Sequence, residues 1–97
     1  MELKTQDMSF SAYLLVTRKL PFLKIEVPVG TRQAFMVFDD QVGVGTTLET
    51  DFLNGAVAPA ADFHQKLRYL RKKIDNALSE AAARDKAAAK ESAVANG

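Results

Sequence analysis

The chain has 97 residues, 47% of them hydrophobic and 26% charged, so it makes one small globular domain with a modest core. It has no cysteine, which excludes disulfides, thiolate metal sites and thiol catalysis. The net charge of +1 hides a segregation: residues 39–51 carry Asp39, Asp40, Glu49 and Asp51 and no base, whereas residues 60–74 carry five bases against Asp62 alone.

The opening stretch MELKTQDMSF contains acids and lacks the apolar centre of a secretory signal. The run Tyr13-Leu14-Leu15-Val16 is too short to cross a bilayer. A soluble, cytoplasmic protein with no membrane contact is expected. Residues 9–20 read as a helix. Asp7 or Ser9 caps it, and Phe10, Tyr13, Leu14 and Thr17 share a face. Pro21 stops it, because proline has no amide proton and restricts the residue before it.

Two β-rich runs follow, 22–29 (FLKIEVPV) and 32–38 (RQAFMVF), separated by Gly30-Thr31. Glycine at the first central position suits a type II′ hairpin turn. With Val29 opposite Arg32, the register sets Val27 against Ala34, Ile25 against Met36 and Leu23 against Phe38, all apolar and all on one face. Lys24, Glu26, Gln33, Phe35 and Val37 make a mixed opposite face. Pro28 marks an open edge. Residues 39–45 form a loop, and Thr46 with Glu49 fits a capping box for a short helix that buries Leu48, Phe52 and Leu53. Asn54-Gly55 ends it, and Pro59 opens the last helix.

That last helix has an apolar spine of Phe63, Leu67, Leu70, Ile74, Ala77 and Ala81, spaced 4, 3, 4, 3, 4. From Ser79 the chain is alanine-rich and charged, with nothing large to bury, so it is expected to project and fray towards Gly97. The predicted fold is α+β in the order α-β-β-α-α: a two-stranded antiparallel hairpin packed on helices. Residues 1–78 form the domain and 79–97 a partly helical tail.

This order, with TQD at 5–7, AYLL at 12–15, FMVFDD at 35–40 and LRYLRK at 67–72, resembles a family of small uncharacterised bacterial and phage proteins. In that family a Thr-x-Asp and a helix precede a hairpin ending in Phe-x-Phe-x-Asp, and a basic helix closes the domain. The resemblance covers residues 5–76 and carries no catalytic residues. It implies a phage or mobile-element context, with regulators, accessory factors and inhibitors as the natural roles.

Catalytic chemistry finds little support in the residues. His64 is the only histidine and follows the core residue Phe63, so it reads as a helix-flank residue. Asp39 and Asp40 are adjacent at the end of a strand, where neighbouring side chains point to opposite faces, which suits capping and solvating the hairpin end rather than sharing a substrate. The acids at 39–51 lack calcium-loop spacing. VGVGTT at 42–47 leads into a helix N-terminus but lacks the P-loop lysine. No cofactor, metal site or enzymatic activity is expected.

The basic helix is the candidate binding surface. At about 100° per residue, Tyr69 falls almost opposite the spine, with Arg68 and Lys72 on one side and Lys66 and Lys73 on the other. Cations beside an exposed ring suit phosphates and stacked bases, and equally a protein partner. The expected function is a non-enzymatic protein–protein interaction module docking on a larger machine. The mixed face of Lys24, Glu26, Phe35 and Val37 is a second contact surface. The alternative is a small DNA- or RNA-binding protein that uses the last helix. A homodimer through the hairpin edge or the C-terminal helix is a further option for the partner.

Overall fold

The computed structural model describes the backbone of residues 1–95 and the side chains of residues 1–90. Its elements are β1 (Glu2–Thr5), α1 (Met8–Thr17), β2 (Phe22–Glu26), β3 (Phe35–Asp39), α2 (Gly45–Leu53) and α3 (Ala60–Ala95). The class is α+β, but the sheet has three antiparallel strands in the order β1-β3-β2, one more than the expected hairpin. Strand β1 pairs Leu3 with Phe38 and Thr5 with Met36, so β3 becomes the central strand. This explains why Met36, Val37 and Phe38 are all fully buried: a central strand has a neighbour at each edge.

The register of β2 on β3 sets Ile25 against Met36, as expected, but Leu23 does not face Phe38. A bulge between Phe22 and Lys24 gives that place to Phe22, whose ring centroid lies 5.4 Å from that of Phe38. Leu23 is the extra residue, turned outward and 48% exposed. The two-residue II′ turn is also replaced. Strand β2 ends at Glu26, before Pro28, which has no proton to give a ladder. A Pro28–Thr31 turn follows, with Thr31 N donating to Pro28 O at 3.1 Å and Gly30 at φ 78°, the third-position glycine of a type II geometry.

Helix α1 is capped by Asp7, whose Oδ1 accepts from Phe10 N at 3.0 Å. It ends at Thr17, three residues earlier than the sequence suggests, with Arg18 at φ 55° as its C-cap. Residues 10–14 are buried consecutively, with no polar face among them, because other elements enclose this segment. The buried hydroxyl of Ser11 is satisfied by donating to Asp7 O at 2.8 Å. One core cluster joins Phe10, Ala12, Tyr13 and Leu14 to Leu20, to Met36 and Phe38 of β3 and to Leu70 of α3.

The start of α2 departs from the capping-box expectation. Its N-cap position is Val44, and Thr46 does not cap it. The buried Asp40 does so from upstream: its two carboxylate oxygens accept from Val44 N and Gly45 N, each at 2.8 Å. Helix α2 packs Phe52 against Phe10 and Tyr13 at centroid distances of 5.7 and 5.2 Å. Leu53, expected inside, is 70% exposed.

Helix α3 has 36 residues, about 54 Å at 1.5 Å per residue, and sets the 56 Å length of the molecule. Phe63, Leu67, Leu70 and Ile74 of the spine join the core, and Ala81 is buried. Its contacts with the sheet side continue to Asp85. Arg84 Nη1 donates to Val27 O at 3.1 Å, and Asp85 Oδ2 accepts from Gly30 N at 3.0 Å, so this turn of α3 holds the β2–β3 loop. The expected fraying towards Gly97 lies outside the described residues. No helix of the described residues is long and apolar enough to cross a membrane.

Candidate partner-binding face on helix α3

Helix α3 is anchored from Phe63 to Asp85, by its packed spine at one end and by its hydrogen bonds to the β2–β3 loop at the other. Its bases are therefore presented at fixed angles. Arg68, Lys72 and Lys73 are exposed, Lys66 is half-buried and Tyr69 is 44% exposed. Among the described residues, ion pairs link Lys4 to Glu26 and Arg84 to Asp85, and none uses Lys66, Arg68, Arg71, Lys72 or Lys73. Asp75, one turn on from Arg71, makes no ion pair with it either.

These bases fall into two groups. On one flank Lys66 Nζ and Lys73 Nζ lie 5.6 and 5.4 Å from the Tyr69 ring centroid, within cation–π range. The ring is thus already flanked by its own helix's ammonium groups. Lys73 also lines an open groove of about 380 Å³ beside β2, together with Phe22, Leu23, Lys24 and the acid Glu80. That groove brings together Lys24 and Lys73, but Glu80 offsets their charge.

On the other flank a groove of about 340 Å³ opens between the first turn of α1 and α3, lined by Met8, His64, Leu67, Arg68 and Arg71. Its floor includes two apolar side chains, Met8 and Leu67. Two guanidiniums and an imidazole join them, and among the described residues neither guanidinium is in an ion pair and no acid lines the groove. The helix contributes residues 64, 67, 68 and 71, the i, i+3, i+4, i+7 stripe of one helical face. Arg71, His64 and Met8 were not among the expected site residues. The stripe was visible in the sequence, but the placement of Met8 beside it depends on how α1 packs on α3.

The mixed sheet face is smaller than expected. Lys4 Nζ lies 2.9 Å from Glu26 Oε2 across β3. This pairing holds the Glu26 carboxyl below its ordinary value and raises that of Lys4, through their hydrogen bond first and their mutual attraction second. Val37, whose cross-strand partners are Lys4 and Lys24, is fully buried between their stems. Lys24, Glu26 and the half-buried Phe35 are what that face offers. Asp85 is likewise lowered, by its hydrogen bond to Arg84 and then by that from Gly30 N. Among the described residues no group of three His, Asp or Glu side chains is placed to share a metal ion. Comparison with known proteins finds no family model that matches the chain, no similar curated protein and no similar solved structure.

Proposed function

We propose that this protein is a non-enzymatic interaction module that docks on a partner protein through the flank of α3 bearing Arg68 and Arg71. The carrying observation is the groove of Met8, His64, Leu67, Arg68 and Arg71: an apolar floor beside two guanidiniums that no ion pair among the described residues uses. That composition matches the anchor points of protein interfaces, where arginine and large apolar side chains dominate the energy. A regulatory or inhibitory role in a phage or mobile element rests on the resemblance of residues 5–76 alone.

A second reading is supported by Tyr69, which is 44% exposed beside Lys66 and Lys73. A ring among cations can stack on a nucleic-acid base. With three or four phosphate contacts, log affinity would fall with log salt at a slope of about −3. The two readings separate in one experiment. The wild-type protein is affinity-purified after nuclease treatment, beside an Arg68→Glu/Arg71→Glu variant and a Tyr69→Ala variant. Protein docking predicts a stoichiometric protein that resists nuclease, survives Tyr69→Ala and is lost with the arginines. Retention of DNA or RNA alone, abolished by Tyr69→Ala, refutes it.

A further inference from the structure

Resting on the protein-docking reading above, we infer that the partner filling the arginine groove is a second copy of this chain, which inserts the outer face of its helix α2. The two surfaces are complementary. The groove is apolar at Met8 and Leu67 and cationic at Arg68 and Arg71. Helix α2 presents the reverse, an apolar side chain beside a carboxylate. Leu53 is 70% exposed, Glu49 is exposed, and among the described residues no ion pair or side-chain hydrogen bond uses Glu49. Glu49 and Leu53 stand at i and i+4, so they project from one side of the helix as a carboxylate beside an apolar tip.

Among the described residues no ion pair inside the monomer uses Glu49. Asp40 alone caps the helix, and Glu49 makes no capping contact. Leu53, likewise, is an apolar side chain left in water at the end of a helix whose Phe52 is packed inward. Seated in the groove of a second copy, Leu53 covers Leu67 and Met8, and Glu49 comes within reach of the arginine forks. A thioether such as Met8 adapts to the incoming side chain at little cost. In a two-fold pair each chain gives one α2 and one groove, so both contacts form twice and the assembly closes.

The test is sedimentation of the full chain across a concentration series. Wild type is expected to dimerise. Arg68→Glu/Arg71→Glu and Glu49→Arg each place like charges opposite one another and should weaken the dimer by about a hundredfold. Arg68, Arg71 and Glu49 are all exposed, and circular dichroism checks that each variant folds. Mixing the two variants restores opposite charges at both contacts, so the mixture should form a heterodimer that neither forms alone. Leu53→Ser should weaken the dimer without changing net charge. A wild-type monomer at every concentration overturns the inference, and so does a dimer that survives both reversals or a mixture that stays monomeric. If a wild-type monomer still retains a nuclease-resistant protein through Arg68 and Arg71, the second-copy inference falls and the docking reading stands. If the monomer retains only nucleic acid, both fall.

Discussion

Replacing Asp40 with alanine is the sharpest perturbation of this fold. Asp40 is 5% exposed, and its carboxylate accepts from Val44 N and Gly45 N, each at 2.8 Å. Removing it leaves two backbone donors at the start of α2 without an acceptor, one of them in the buried Gly45. Loss of an ordinary helix cap costs up to about 2 kcal/mol, and hydrogen bonds to a charged group contribute about 1.5–3 kcal/mol each. The losses are not additive, so about 3 kcal/mol is a reasonable expectation. Domains of this size have roughly 5–10 kcal/mol in total, so the variant folds with a thin margin. Chemical and thermal unfolding followed by circular dichroism measure it. At 4–8 °C per kcal/mol, the midpoint should drop by about 12–24 °C. Asp40→Asn keeps one acceptor and should fall between. Thr46→Ala and Glu49→Ala should each cost less than about 0.5 kcal/mol, as surface substitutions do. The reasoning fails if Asp40→Ala is as mild as they are, or if Thr46→Ala is the costly one.

Three further outcomes follow from the same contacts. Gly45→Ala puts a methyl 2.8 Å from Asp40 Oδ2 and 3.1 Å from Leu3 Cδ1, so it should lower the unfolding free energy by about 1–3 kcal/mol through overpacking of the β1–α2 corner. Truncation after Asp85 leaves every described loop contact in place and should change stability by no more than about 0.5 kcal/mol. Truncation before Arg84 removes both bonds to the β2–β3 loop, and amide hydrogen exchange at Gly30 should then become fast. Glu26 and Asp85 both have carboxyls lowered in the folded state, so their contribution is complete above the ordinary carboxylate range and is lost as pH falls through the lower folded values. Glu26→Gln/Asp85→Asn should accordingly flatten the acid limb of an unfolding-midpoint profile while leaving its shape near neutrality unchanged.

The parts of the fold visible in the sequence are those with long local periodicity. The spine from Phe63 to Ala81 extends over five turns, and its inward residues are those the spacing names. Strand β1 was not visible, because four residues with two lysine and glutamate positions carry almost no alternation signal. Its trace lies elsewhere, in the unbroken apolar run Met36-Val37-Phe38, which suits a strand with neighbours on both edges. The bulge was undecidable locally, since Phe22 and Leu23 are both apolar and only packing against Phe38 chooses between them. The capping box failed for a related reason. Thr46 and Glu49 have the right spacing, but the chain turns after β3 so that Asp40 reaches the helix start first. The binding face divides similarly. The bases and Tyr69 stand on the outer side of α3 as the helical angles require, and residues 64, 67, 68 and 71 share a stripe. Only the packing of α1 makes that stripe a groove, by bringing Met8 to its edge.

The most direct test of the docking account uses the chain's three methionines as built-in reporters. Met8 lines the arginine groove, Met36 is fully buried in the core and Met1 lies beside Gly43. Methyl-labelled methionine is followed by NMR through a dilution series of the wild-type protein. The account predicts that the Met8 methyl resonance moves with concentration along a dimer binding curve, that Met36 and Met1 stay still, and that Arg68→Glu/Arg71→Glu holds Met8 at its dilute position. A Met8 resonance that never moves while sedimentation reports association would contradict it, because the copies would then be meeting somewhere other than this groove.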